Sequence, residues 1–172
     1  LAQVQNGRSN QGIQAVWPPK RVVMIQCAGS RNDERPYCSR LCCSMAIKNA
    51  LSIKKKYPDA NIFVLYRDIR TYGFREKYYK RARQAGVVFI RYDEKKPPVV
   101  SDENGLLVSL VSPDFPEPIE IEADTVVLST GIEPPEDNRR MADMLKVPLN
   151  ASGFFVEAHV KLRPVDFASE GI

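Results

Sequence analysis

Three short apolar runs, rich in β-branched residues and separated by two stretches with helical spacing, constrain the fold most strongly. Between the runs, apolar residues recur three and four positions apart over residues 39–57 and again over 74–85. Gly86 follows the second stretch as the expected residue after a helix end. The three runs cover residues 21–25, 62–66 and 87–90. The resulting order, β-α-β-α-β, predicts a parallel sheet covered by helices.

A different pattern follows residue 91. The turn signal D-E-N-G at 102–105 separates two apolar runs, 97–100 and 106–111, which predicts an antiparallel hairpin. Residues 119–122 alternate as a half-exposed strand does, and residues 126–128 are again of the buried type. We therefore expect an α/β fold: a Rossmann-like, three-layer domain of the nucleotide-binding type, with a parallel sheet plus an antiparallel hairpin or meander.

Glycine, proline and polar residues mark the ends of this domain. Residues 1–20 lack periodicity and are interpreted as an N-terminal arm or linker. Residues 21–133 contain the Rossmann-like pattern. The remaining segment, 134–172, differs in character and is expected to form a short helix near 139–146 and a strand at 153–156.

Composition excludes several classes of function. The chain has 172 residues, and none of its apolar runs approaches the ~18–20 residues of a membrane span. With 25 Lys and Arg against 21 Asp and Glu, the surface is mixed and lacks the basic footprint of a nucleic-acid-binding protein. The one histidine, His159, leaves little room for histidine-based catalysis. We expect a cytoplasmic protein that neither binds nucleic acid nor inserts into a membrane.

Four cysteines are grouped within seventeen positions, in the pattern C-x10-C-x3-C-C. Cys27 comes where the first predicted strand ends. Cys38, Cys42 and Cys43 lie in and around the first turn of the predicted helix, for which Ser39 is the expected N-cap. Cysteines that merely fill a core would not be grouped in this way, so the pattern indicates chemistry at this corner.

The predicted surroundings of the cysteines favour negative charge. Unpaired N–H groups and the dipole at a helix N-terminus stabilise thiolates, so we expect lowered thiol pKa values. Arg31, Arg35 and Arg40 add positive charge to the same loop. Charge and N–H···S bonds of this kind raise the reduction potential of an iron–sulfur cluster.

Four interpretations of the cysteines remain open from the residues. A 4Fe–4S cluster needs four thiolates and tolerates irregular spacing, and is the interpretation that the grouping favours. A structural zinc site is chemically reasonable, although the usual paired C-x₂₋₄-C knuckles are missing. Dithiol or disulfide chemistry would normally show C-x-x-C. Burial as small hydrophobic side chains explains one or two cysteines rather than four.

The corner lacks the glycine fingerprint of a dinucleotide site. After the first strand, Gly29 stands alone where G-x-G-x-x-G is expected. Arg67 and Asp68 follow the second strand, where an acid can hold a ribose hydroxyl and an arginine a 2′-phosphate, although a solvated ion pair explains them equally well. With Gly131 after the last strand, these residues are the candidate cofactor-binding positions. We expect a dinucleotide-binding fold in which a metal cluster occupies the position where a nucleotide would otherwise bind.

From about residue 20 onward, the chain resembles the A subunit of heterodisulfide reductase and its homologues. The cysteine motif is the specific part of this resemblance, whereas the strand ending in Gly131 is common to many flavoproteins. The segments that carry the resemblance are 22–31, 36–40, 42–50, 68–73, 123–131, 153–159 and 162–166.

The resemblance implies an FAD-dependent, iron–sulfur oxidoreductase with a core similar to thioredoxin reductase. It implies that Cys27, Cys38, Cys42 and Cys43 hold a 4Fe–4S cluster near the flavin. It also implies that residues 21–133 correspond to the NAD(P)-binding-like domain and that 134–172 return to an incomplete FAD domain. The FAD-binding G-x-G-x-x-G and the ferredoxin-like cysteine motifs of the family do not occur in this sequence. An internal fragment is therefore expected, inactive and without tight FAD binding by itself.

The functional hypothesis is an electron-transfer segment whose cluster relays electrons to or from FAD, working with other subunits of an electron-transfer complex. A homodimer is left open. One alternative is a fragment of a pyridine-nucleotide disulfide oxidoreductase that binds NAD(P)H. Another is a non-enzymatic interaction module stabilised by zinc.

Overall fold

The computed structural model describes residues 18–103, 105–160 and 162–169. The chain divides into two compact units, of which the first ends at Gly131 and the second begins at Ile132. Apart from residues 18–20, the predicted arm lies outside the described residues. The assignment of the two segments to an NAD(P)-like domain and to part of an FAD domain stays a prediction.

A four-stranded parallel sheet forms the centre of the first unit. Its strands are β1 (Arg21–Ile25), β2 (Asn61–Tyr66), β3 (Val88–Arg91) and β7 (Thr125–Leu128). They lie side by side in the order β3-β2-β1-β7, and every neighbouring pair is parallel. Buried parallel strands read as nearly continuous apolar runs, which is why the sequence revealed them.

Two helices make the crossover connections. Helix α1 (Cys42–Lys56) joins β1 to β2, and helix α2 (Glu76–Gln84), preceded by a short 3₁₀ turn, joins β2 to β3. Gly86 has a φ of +81° directly after α2, as expected for the residue that ends a helix. Because β1 and β2 are parallel neighbours, their carboxyl ends meet at the same edge of the sheet.

A second, antiparallel sheet follows β3. It contains β4 (Val99–Ser101), β5 (Leu106–Leu110) and β6 (Ile119–Ala123) in the order β4-β5-β6. The chain then enters β7, beside β1. The predicted hairpin and its neighbouring strand are thus present.

The side chains of β1 are divided between two apolar cores. Val22 and Met24 face the helices, whereas Val23 and Ile25 face the antiparallel sheet. All four are at most 2% exposed, as expected for a strand buried on both faces. Helices, parallel sheet and antiparallel sheet therefore form three layers, and the predicted Rossmann-like fold class is confirmed.

The second unit contains one described helix, α3 (Asn138–Leu145), close to its predicted position. The Asn138 side chain donates a hydrogen bond to the carbonyl oxygen of Gly153 (2.9 Å). The strand predicted at 153–156 is wrong: only one isolated bridge, between Leu149 and Phe155, occurs there. The backbone N–H groups of residues 152 and 154 instead bond the Asn150 side chain, which closes a loop. Within the described residues, no helix is long and apolar enough to cross a membrane.

Candidate metal centre

Cys27 lies immediately beyond β1, where backbone bonds fix the chain from both sides. The N–H of Gln26 donates to the carbonyl oxygen of Leu65 in β2 (2.9 Å), and the N–H of Ala28 donates to that of Ser129 beyond β7 (3.1 Å). The buried hydroxyl of Tyr92 donates to the carbonyl oxygen of Gln26 (2.7 Å). β1 lies between β2 and β7 in the sheet, and the chain continues from β1 to β2 on one side only. Cys27, just beyond β1, therefore lies at a topological switch point, which is where ligands usually bind in such sheets.

The loop that carries the cysteines has an unusual backbone. Cys27, Arg31 and Arg40 have φ values of +58°, +59° and +60°. Among the described residues, Lys146 is the one other non-glycine residue with a positive φ. Each left-handed residue costs roughly 1–2 kcal/mol, so the surrounding contacts must impose this conformation. Strain gathered in one loop points to function there.

The same backbone explains why α1 begins later than predicted. The predicted N-cap, Ser39, is wrong, because Leu41 precedes the first helical residue and no side chain caps the helix. The left-handed Arg40 interrupts the approach to the helix. Cys42 and Cys43 therefore open α1, whereas Cys38 stays in the loop, where its Sγ accepts the backbone N–H of Arg40 (3.3 Å).

All four cysteines are free thiols, and each has its own surroundings. Cys43 is buried, whereas the other three are half-buried. The Cys27 Sγ accepts a hydrogen bond from Nη1 of Arg31 (3.8 Å). The Cys43 thiol donates to the carbonyl oxygen of Asp68 (3.8 Å), so the second residue after β2 reaches the start of α1.

Burial decides the protonation of two of these thiols. It raises the pKa of Cys27 and of Cys43, and the favourable charge of Arg31 beside Cys27 does not offset it. The lowered pKa expected from the helix N-terminus is therefore wrong for Cys43. Negative charge on Cys27 or Cys38 raises the pKa of Cys43 further, which places these thiols within electrostatic reach of each other. Binding a metal here must release protons from the protein.

The thiols do not form a site for one metal ion. Among the described residues, no three His, Cys, Asp or Glu side chains converge on a single ion position. A tetrahedral zinc site needs four donors at about 2.0–2.3 Å from one ion. A 4Fe–4S cluster offers a separate iron to each of four thiolates. Four cysteines grouped at one strand–loop–helix corner, with Arg31 beside Cys27, match a 4Fe–4S cluster in the number and type of its donors.

The two residues predicted to hold a nucleotide face this corner instead. The Asp68 carboxylate accepts hydrogen bonds from Arg31 and from Nε of Arg70 (3.0 Å). Arg67 pairs with Glu94, and its Nη1 donates to the carbonyl oxygen of Arg31 (2.7 Å). These contacts occupy the groups that a ribose or a 2′-phosphate would use. Their role in nucleotide binding stays a prediction.

The ion pairs of Asp68 give the protein a measurable pH dependence. Burial alone would raise the pKa of Asp68, but the hydrogen bonds and charges of Arg31 and Arg70 outweigh it and hold the pKa below the usual 3.8. Asp68 therefore stabilises the fold fully above that value, and its contribution is lost as the pH falls through the lower, folded-state pKa. The variant Asp68→Asn is expected to lose less stability than wild type on acidification.

Urea unfolding between about pH 5 and pH 2 measures this difference. The matched control is Glu122→Gln, which removes one acid from the ion pair with Arg21. The Glu122 side chain is 73% exposed, and water screens an ion pair at such a position. The control's pH profile should therefore follow wild type. Equal profiles for wild type and Asp68→Asn would contradict the prediction.

The two glycines proposed as cofactor-binding positions differ in how much room the surrounding atoms leave for a side chain. Gly29 has a φ of +68°, and a Cβ added there would meet nothing within 4 Å. Gly131 has a φ of +87°, and its Cβ would lie 3.1 Å from Ser39 Oγ and 3.2 Å from Ser30 Cβ. Gly131 therefore lets the chain beyond β7 pack closely against the cysteine loop. Cofactor binding by either glycine stays a prediction.

This difference predicts unequal losses of stability. Gly29→Ala should cost only the left-handed backbone penalty, roughly 1–2 kcal/mol. Gly131→Ala adds a collision with two serines and should cost about 1–3 kcal/mol more. Urea unfolding of both variants under reducing conditions compares them. Equal free energies of unfolding would show that the loop gives way without cost.

Sequence reasoning missed the contacts of Arg31, Asp68 and Tyr92 that organise this corner. Arg31 and Asp68 are 37 positions apart. One signal was present: the two residues follow adjacent predicted parallel strands, whose carboxyl ends meet at one edge. Opposite charges at that edge can pair across it. The Tyr92 hydroxyl gave no comparable signal, because an aromatic residue after a strand is normally interpreted as packing.

The fold and the site together define the class of the protein. An open parallel sheet whose ligands normally bind at the carboxyl edge is a Rossmann-type domain, and this chain carries its four cysteines at or near that edge. Thioredoxin reductase from T. acidophilum is a structural neighbour, with a TM-score of 0.49 and 18% identity over 88% of this chain and 42% of that one. No family model matches the sequence.

Sequence relatives of the chain are A subunits of heterodisulfide reductases. The iron–sulfur A subunit of the CoB–CoM heterodisulfide reductase of Methanocaldococcus jannaschii is 44% identical over 161 residues, 90% of this chain and 24% of the relative. The A subunit of the ferredoxin:CoB-CoM heterodisulfide reductase of Methanosarcina acetivorans is 40% identical over 168 residues, 95% of this chain and 21% of the relative. Over the segment that it matches, the chain is a homologue of these heterodisulfide reductase A subunits. It spans between a fifth and a quarter of the length of these relatives.

Proposed function

We propose that Cys27, Cys38, Cys42 and Cys43 hold a 4Fe–4S cluster, and that this chain is the electron-relaying segment of a heterodisulfide-reductase-A-like FAD and iron–sulfur oxidoreductase. One observation carries the proposal: four free thiols lie at or near one strained corner, at the carboxyl edge of a parallel sheet. The name of the M. jannaschii relative, an iron–sulfur subunit, supports it.

The chain's own residues would bind and shield the cluster. Cys43 supplies a buried thiol from the start of α1, and Cys27 supplies one from the end of β1, so two rigid elements hold opposite ends of the motif. Arg31 presents positive charge to Cys27. When bound, a 4Fe–4S cluster supplies one-electron oxidation and reduction. Burial and fixed backbone geometry limit the reorganisation that each electron transfer requires.

FAD and partner subunits belong to the same proposal. The flavin would exchange single electrons with the cluster and would be held mainly by segments of the protein other than this one, because the G-x-G-x-x-G motif does not occur in this sequence. Since the relatives are named as subunits, the protein would work with other subunits of an electron-transfer complex.

Anaerobic reconstitution with iron and sulfide tests the proposal. The expected result is four iron and four acid-labile sulfide per chain, with an EPR signal after reduction by dithionite. One bound zinc and no sulfide would instead identify a structural module. If neither metal bound, titration with NAD(P)H would test the remaining alternative, in which Arg67 and Asp68 hold the nucleotide.

A further inference from the structure

Asp68 connects both ends of the cysteine motif. Its carboxylate accepts hydrogen bonds from both terminal nitrogens of Arg31, including Nη2 at 3.3 Å. Through Nη1, the same guanidinium reaches Cys27 Sγ at 3.8 Å. The carbonyl oxygen of Asp68 accepts the thiol of Cys43, also at 3.8 Å. Asp68 thus contacts the last cysteine of the motif directly and the first cysteine through Arg31.

Arg31 is held in place from several directions. Its backbone is left-handed, with φ of +59°, and its carbonyl oxygen accepts Nη1 of Arg67 (2.7 Å). Its side chain is only 17% exposed, whereas that of Asp68 is 45% exposed. A mostly buried guanidinium costs free energy unless a carboxylate pairs with it. Asp68 supplies that carboxylate, in the forked geometry that arginine favours.

We infer that Asp68 is a positioning residue, which holds the Arg31 guanidinium beside the sulfur of Cys27 so that fixed positive charge raises the reduction potential of the cluster. This inference rests on the proposed function. Asp68 does not touch the reacting atoms itself. It acts through Arg31, whose guanidinium it pairs with and which reaches the sulfur of Cys27.

Two effects of Asp68 on the potential have opposite signs, which makes the inference testable. The carboxylate's own negative charge lowers the potential of a nearby cluster. The guanidinium that it holds raises the potential through charge and an N–H···S bond. If Asp68 acts through Arg31, Asp68→Asn lowers the potential. If only its own charge matters, the same substitution raises the potential.

The experiment is an EPR-monitored redox titration of the reconstituted chain. We expect Arg31→Gln to shift the redox equilibrium at least tenfold toward the oxidised cluster, which is about 59 mV for one electron. Asp68→Asn should shift it in the same direction. In the Arg31→Gln background, Asp68→Asn should no longer lower the potential, because the guanidinium that Asp68 holds beside Cys27 is already absent; such non-additivity is the mark of two residues acting together.

The matched control is Glu122→Gln, which also removes one acid from an ion pair with an arginine. Its partner, Arg21, begins β1, whereas Cys27 follows the end of that strand, so the potential should not change. If Asp68→Asn does not retain the cluster, Asp68→Glu replaces it. Asp68→Glu keeps the negative charge but carries it on a longer side chain. A lower potential in this variant would therefore come from the displaced guanidinium of Arg31 and not from the loss of a charge.

Several outcomes would overturn the inference. A higher potential in Asp68→Asn, an additive double variant, or an unchanged potential in both Asp68 variants would each do so while leaving the proposed cluster intact. A wild-type chain that assembles no iron–sulfur cluster would overturn the inference and the proposed function together. Counting iron and sulfide before each titration distinguishes these cases.

Discussion

Serine in place of any one of Cys27, Cys38, Cys42 and Cys43 should abolish the EPR signal of the reduced 4Fe–4S cluster. Iron and acid-labile sulfide should fall well below four per chain. A hydroxyl ligates iron far less readily than a thiolate, and four thiolates are needed to hold the cluster. The expected loss of iron and sulfide is largest for Cys43→Ser, because Cys43 is the buried one of the four proposed ligands and water cannot easily replace its thiolate.

Ser44→Ala is the matched control for Cys43→Ser. Ser44 is the next residue of α1, and its buried Oγ has no hydrogen-bond partner among the described residues. Removing this hydroxyl therefore breaks no bond in the described part of the chain, and the variant should keep its full iron and sulfide. A cluster that survives in Cys43→Ser, or that disappears in Ser44→Ala, would contradict the assignment of the ligands.

Ile47→Ala should lower the free energy of unfolding by about 2–5 kcal/mol. Ile47 is 1% exposed and lies in the core between α1 and the parallel sheet. Its truncation leaves a cavity under the helix that begins with Cys42 and Cys43, so the cluster should also be lost more rapidly on warming. Urea unfolding of the metal-free, reduced chain measures the first effect, and iron release with temperature measures the second.

Met45→Ala tests whether burial is the cause. Met45 is a long apolar side chain in the same helix, but it is 48% exposed. Its truncation leaves no closed cavity, and surface substitutions usually change stability by only about 0.5 kcal/mol. Similar losses for Met45→Ala and Ile47→Ala would show that the helix is not held by the core contact of Ile47.

The parallel strands were predictable because burial on both faces requires a continuous run of apolar residues in the sequence. After Arg21, every residue of β1 is apolar, without the alternation of a half-exposed strand. The reason is that β1 packs against helices on one face and against the antiparallel sheet on the other. The turn signal after residue 101 likewise predicted the hairpin of β4 and β5. Where burial on both faces or turn chemistry dominates, local residues are enough.

The start of α1 was not predictable in the same way. Ser39 is a favourable N-cap by residue type, yet the left-handed Arg40 and the sulfur of Cys38 shape the chain before Leu41. Those interactions depend on how the loop is held by β1, β2 and β7. The strand predicted at 153–156 failed for a local reason: the backbone N–H groups of Ser152 and Phe154 donate to the Asn150 side chain and close a loop there.

By itself, the sequence determined the order of strands and helices in the first unit, the fold class and the grouping of four cysteines. These follow from local hydrophobic patterns and from the spacing of the cysteines. Only the tertiary structure decided what surrounds the thiols. It buries Cys43 and half-buries Cys27, which raises the pKa of both thiols, and it joins Asp68 to Arg31 across 37 positions. The predicted strand order brings residues 31 and 68 to one edge of the sheet, but the burial of the thiols and the pairing of these two side chains depend on how the loop packs, which no local pattern records.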